Sequence, residues 1–152
     1  MIRVSVDPAP IDIGTELAGV EEGGAGAVAS FTGIVRGDDG VTCLELEHYP
    51  GMTEAALCDL AERATSRWSL LSAVIVHRVG PMTPGDRIVF IATAAPHRQA
   101  ALDACAFLID RLKTEAPFWK REIRGQGTSW VEARAGDHQA AARWSDQAGA
   151  PD

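Results

Sequence analysis

The sequence predicts an α+β fold built on mainly antiparallel sheet, and three observations predict it. The elements run roughly β-α-β-β-α-β-β-α-β-β, an order that successive βαβ repeats cannot produce. Two stretches, "SAVIVHRVG" (72–80) and "DRIVFIATAA" (86–95), are strongly strand-like. Two others carry apolar residues at helical spacing. Leu57, Leu60, Ala61, Ala64 and Trp68 form one stripe, and Ala101, Cys105, Leu108 and Leu112 form the second.

Taken in order, residues 2–6 ("IRVSV") alternate as a strand does and "DPAP" stops them. Residues 12–20 predict a short helix ahead of "EEGGAG". "AVASFTGIV" (27–35) reads as a largely buried strand in which Gly33 marks a bulge or a close backbone approach. "GDDG" (37–40) is turn chemistry, and in "VTCLELEHY" (41–49) Leu44 and Leu46 share a face opposite Glu45 and Glu47. A helix is expected from Thr53, a good N-cap residue. "PMTPGD", with two prolines and a glycine, reads as a turn between those two strands. The next helix runs from Pro96 to Lys113 and Pro117 ends it. "FWKREIR" is then a strand, paired across "GQG" with a last strand at 128–133. The division expected is one catalytic domain over residues 1–134 and a C-terminal tail over 135–152. That tail carries a short helix around Gln139–Trp144 and then a disordered end.

A chain of 152 residues, 46% hydrophobic and 23% charged, fits one globular domain with a real core. The net charge of −7 argues against a nucleic-acid partner, because such binding rests on phosphate neutralisation. No run is long enough to span a membrane and the N-terminus lacks a signal peptide's apolar stretch, so a cytoplasmic location is expected. Cys43, Cys58 and Cys105 form neither a CxxC pair nor zinc-ligand spacing, and the histidines show no metal constellation. No metal is expected.

The charge that stands out lies in "LKTEAPFWKRE". Lys113 and Lys120 are the only lysines among 14 basic residues; the other 12 are arginines. Arginine is a permanently charged bidentate partner, whereas lysine is a point charge whose amine can act chemically. Period two places Phe118, Lys120 and Glu122 on one face of their strand, with Trp119 and Arg121 on the other. His97 and Arg98 put cations in the first turn of a helix, the end where the dipole favours anions; with the free N–H groups they form an anion cradle. Arg36 follows a strand and faces a loop. His48 reads as structural, shaping the "EHYPG" turn; His77 and His138 stand at unrelated spacings.

"FTGIVR", "LELEHYPGMTE", "HRVG…PGD", "APHR", "LKTEAPFWKRE" and "WVEAR" occur in an order that resembles the catalytic subunit family of molybdopterin synthase, over residues 27 to 144. The resemblance implies an α/β hammerhead with an additional, mainly antiparallel β subdomain. It implies a sulfurtransferase that needs no cofactor. Its sulfur donor would be the C-terminal Gly-Gly thiocarboxylate of a small ubiquitin-like subunit, and the acceptor cyclic pyranopterin monophosphate. A homodimer within a heterotetramer follows from the same likeness. Lys113 and Lys120 become catalytic; Arg36, His97, Arg98, Arg121 and Glu122 become substrate-binding, with Arg36 contributed across the dimer. Ile34 departs from the family pattern, which often has lysine there. The alternatives are a non-catalytic docking module for a ubiquitin-like partner and a hydrolase using Cys43 or Cys105.

Overall fold

The computed structural model describes residues 1–125, 127–131, 140–142 and 144. Its elements are β1 (Ile2–Asp7), α1 (Ile13–Glu21), β2 (Ala27–Ile34), β3 (Val41–His48), α2 (Met52–Trp68), β4 (Ser72–Arg78), β5 (Gly80–Met82), β6 (Arg87–Ala95), α3 (Arg98–Glu115), β7 (Phe118–Arg124) and β8 (Gly127–Val131). They make two four-stranded sheets, ordered β1-β4-β6-β2 and β5-β3-β7-β8. The α+β class is as the sequence predicts. In the first sheet β1 runs parallel to β4 and every other pairing is antiparallel; the second sheet is antiparallel throughout.

Strands β4 and β6 are apolar on both faces because both faces are covered. Ala73, Ile75, Val89 and Ile91 join the large core with Leu57 and Leu60 of α2 and Phe107 and Leu108 of α3. Val74, Val76, Phe90 and Ala92 face the other way, where α1 closes a smaller core with Val20. The apolar face of β3, Leu44 and Leu46, joins the larger core, so the second sheet abuts the first through that cluster.

Three local readings change. The segment expected as a turn holds β5, whose Met82 and Gly80 pair with Leu44 and Leu46 of β3. A proline is tolerated there because β5 is an edge strand. Helix α2 begins earlier than Thr53. Gly51, at φ +85°, is its N-cap, and its N–H donates to Glu54 Oε1 at 2.9 Å. Thr53 is instead fully buried, its hydroxyl donating to the Pro117 carbonyl at 2.8 Å and accepting from Tyr49 N–H at 3.0 Å. One threonine thus ties the ends of β3 and α3 to the start of α2. Helix α3 begins at Arg98, with His97 as its N-cap.

The tail of 135–152 lies largely outside the described residues, as does the end of the strand expected at 128–133. Residues 140–142 are helical, and the Trp144 indole packs edge-on against Trp68 and Phe107 at centroid distances of 5.8 and 6.0 Å.

At the far end of β6 the chain turns tightly into α3. A Cβ on Gly26 would lie 2.0 Å from the Pro96 carbonyl oxygen, a backbone atom that cannot swing aside. Gly26→Ala is expected to cost roughly 2 kcal/mol or more, the range of severe steric substitutions. Denaturant unfolding checks this; a loss under 0.5 kcal/mol would show that the turn yields.

Candidate active site

The sequence places its two lysines so that one short junction presents both. Lys113 stands on the last turn of α3, where a cation suits the dipole. The helix closes with Ala116 N–H donating to Leu112 O at 3.2 Å, and Pro117 prevents its continuation. Strand β7 starts at once, so Lys120 is two residues along the face begun by Phe118. The Thr53–Pro117 bond pins this junction.

Both lysines line one cavity of about 590 Å³ between the two sheets. Its walls come from β2 and the following loop (Gly33 to Arg36), from β6 (Ile88, Val89), and from β3 and β7. The period-two face of β7 continues one residue further than the sequence reading took it: Phe118, Lys120, Glu122 and Arg124 all line the cavity. Arg124 was missed although the same alternation points to it. Arg36, Lys113, Lys120 and Arg124 therefore give a cationic lining to a protein of net charge −7. Asp38, Asp39 and Glu122 partly offset it; Arg36 pairs with Asp38 at 3.4 Å and Arg124 with Glu122 at 2.7 Å. Gly33 fulfils both of its expected roles. The β2–β6 register shifts between Gly33 and Ile34, and a Cβ at Gly33 would meet Val89 Cγ1 at 2.6 Å. Ile34 lines the cavity and is exposed.

Other expected residues are placed elsewhere. Arg121 turns to the opposite face of β7, as period two predicts, where it pairs with Glu45 and does not line this cavity. Arg36, expected from across a dimer, sits on the wall of its own chain's cavity. His97 and Arg98 are exposed and do not line it. Fifteen residues of α3 separate Arg98 from Lys113, about 22 Å of helix. From Val89 on the cavity wall, β6 travels about 20 Å the same way before Ala95. No side chain spans that gap.

The cavity also holds His77, to which the sequence reading gave no role. Its ring is 5% exposed and stacks on Phe118 with centroids 4.0 Å apart. Burial pushes the imidazole down to about 4 from 6.5; the hydrogen bond to the Arg78 carbonyl opposes this, and the charges of Lys113, Lys120 and His48 add to it. A depressed folded-state value means that the unfolded chain takes up this proton first as pH falls. The stabilisation is complete above pH 6.5 and is lost as pH drops toward 4, by about 2–3 kcal/mol at pH 4.5. Unfolding measured at pH 7 and 4.5 should show that loss in the wild type and not in His77→Phe; equal losses would exclude His77 as its source.

Burial also raises the Cys105 thiol to about 11, which makes it a poor nucleophile. Among the described residues no cluster of three His, Cys, Asp or Glu side chains could hold a metal ion. No helix among them is long and apolar enough to cross a membrane.

The fold and cavity define a class: an α+β protein whose two sheets enclose a cavity with a cationic lining and two amines. The profile of the MoaE protein family matches residues 6–115, and the chain belongs to that family. It is 51% identical over 148 residues to the molybdopterin synthase catalytic subunit of Salmonella typhimurium (strain LT2), covering 93% of this chain and 97% of that one. Its fold is similar to the molybdopterin biosynthesis MoaE protein from Burkholderia ambifaria, at TM-score 0.82 and 46% identity over 95% and 98% of the two chains. It is also similar to molybdopterin synthase from Staphylococcus aureus, at TM-score 0.78 and 35% identity over 83% and 94%.

Proposed function

We propose that this chain is the catalytic subunit of a molybdopterin synthase. It transfers sulfur from the thiocarboxylated Gly-Gly terminus of a small ubiquitin-like subunit to cyclic pyranopterin monophosphate, forming a dithiolene. The observation that carries the reading is the convergence of Lys113 and Lys120 in one cationic cavity. A thiocarboxylate is an anion, and reaction at its carbonyl carbon develops a tetrahedral oxyanion; ammonium groups out of bulk water stabilise both. Loss of phosphate and then of water from the pterin requires proton transfer, which an amine can perform.

Arg36 and Arg124 hold substrate charge at the same cavity. His97 and Arg98 serve the site of the other protomer in a homodimer, since their own cavity lies beyond reach. The small subunit threads its terminus toward the lysines, and two such subunits complete a heterotetramer that acts in the cytoplasm. Glycine is required in that tail because only a residue without a side chain passes a narrow channel.

The test is reconstitution with the cognate thiocarboxylated subunit and the pterin precursor. Dithiolene product is expected, and a bulky residue appended after the Gly-Gly should abolish it. No product from the thiocarboxylated partner without that added residue would overturn the reading.

A further inference from the structure

His77 has no part in the chemistry above, although it lines the cavity. Its Nδ1 lies 2.9 Å from the Arg78 carbonyl oxygen. A carbonyl can only accept, so in the neutral ring Nδ1 carries the hydrogen and Nε2 keeps a lone pair. The Arg78 contact is the ring's one hydrogen bond among the described residues, which leaves Nε2 without a protein partner on a residue that lines the cavity. Stacking on Phe118 fixes the ring plane, so the lone pair has a set direction.

The charged and titratable groups that act on the ring are Lys113 from α3, Lys120 from β7 and His48 from β3; no carboxylate is among them. Lys113, the strongest of the three, is exposed on the last helical turn and has neither a hydrogen bond nor an ion pair among the described residues. A four-carbon stem with no partner samples many rotamers, whereas transition-state stabilisation needs the amine held in one place.

We propose that His77 is a positioning residue for Lys113: as the stem rotates inward on substrate binding, Nε2 accepts a hydrogen bond from the ammonium group and aims it into the cavity. A carboxylate in that place would hold the amine more tightly but cancel the charge that an anionic thiocarboxylate needs. A neutral imidazole orients the amine without neutralising it and adds no third cation. Phe118 supports the ring, and so acts on Lys113 at one remove. The proposal rests on the synthase reading of this cavity.

Because the chain has two lysines only, lysine labelled with ¹⁵N at the side chain gives two signals, assigned by single Lys→Arg variants. His77→Phe keeps the ring's shape and its stack while removing the acceptor. In the reconstituted complex it should lower kcat at least tenfold and leave KM for the precursor within twofold. The Lys113 signal should move while the Lys120 signal stays. His77→Gln, which returns an acceptor near the Nε2 position, should recover most of the lost turnover. Turnover by His77→Phe within twofold of wild type, or an unmoved Lys113 signal, overturns the proposal. Should His77→Phe fail to fold, ¹⁵N spectra of the wild-type imidazole decide at pH 7: the Nδ1–H tautomer supports the proposal, and an Nε2–H or doubly protonated ring refutes it. A wild-type complex without turnover sinks the synthase reading instead, and the lysine and imidazole spectra remain interpretable without it.

Discussion

Replacing either lysine by alanine should remove nearly all sulfur transfer, by a hundredfold or more, while the protein stays folded. The magnitude is that of losing a preorganised charge, roughly 10²–10³ in rate, with general acid–base catalysis worth a similar factor. The folded state has little to lose. Lys113 is exposed, and its favourable dipole contribution is worth about 0.3–1 kcal/mol. Lys120 lies on a strand held by β3 on one side and β8 on the other, so its backbone bonds survive truncation. The check is single-turnover product formation with thermal melting on the same samples. Arginine at either position separates charge from chemistry: it keeps the cation but cannot shuttle a proton. Full turnover by folded Lys120→Ala would end the catalytic assignment and favour a docking role.

The second large effect is complementation. If α3 carries Arg98 to a neighbour's cavity, a Lys113→Ala chain mixed with an Arg98→Ala chain yields heterodimers in which both lesions fall on one site. The other site is then intact, and activity should rise well above that of either mutant homodimer. Arg36→Ala mixed with Lys113→Ala should behave differently, because Arg36 lines the cavity of its own chain. There each site carries one lesion, and no recovery is expected. Subunit exchange followed by turnover measures both mixtures. Recovery in the Arg36 mixture and none in the Arg98 mixture would reverse the assignment.

Much of this site was legible before any coordinates. The isolation of two lysines singled out a segment that lines the cavity, and period two gave the cavity-facing side of β7, including the outward turn of Arg121. The strands β2, β4 and β6 announced themselves by composition, although the burial of β4 and β6 on both faces did not. What stayed hidden was non-local. Nothing in "IRVSV" says that β1 lies parallel to β4, because that depends on a long crossover through α1, β2, β3 and α2. Strand β5 was disguised by its own glycine and proline, which mark turns locally and are tolerated at an edge. His77 was hidden for another reason: its role depends on which direction a lone pair points, and that is set by Arg78 and Phe118 together. The distance from Arg98 to Lys113, by contrast, was present in the helix all along as a matter of counting.

That count turns α3 into a spacer with a rotational phase. Each added residue lengthens an α-helix by about 1.5 Å and turns its two ends by about 100° relative to one another. One alanine inserted in the middle of Arg98–Glu115 would therefore swing the cationic pair at the start of the helix away from the direction it now faces. Helix propensity would be untouched. The same rotation would carry part of the buried face of Ala101, Ala104, Phe107 and Leu108 out of the core, so such a variant should lose stability as well as turnover. Seven inserted residues would bring the faces back to within about 20° but displace them by roughly 10 Å. Relatives that pair the same two ends are thus under a constraint on length that acts even where no individual side chain is required.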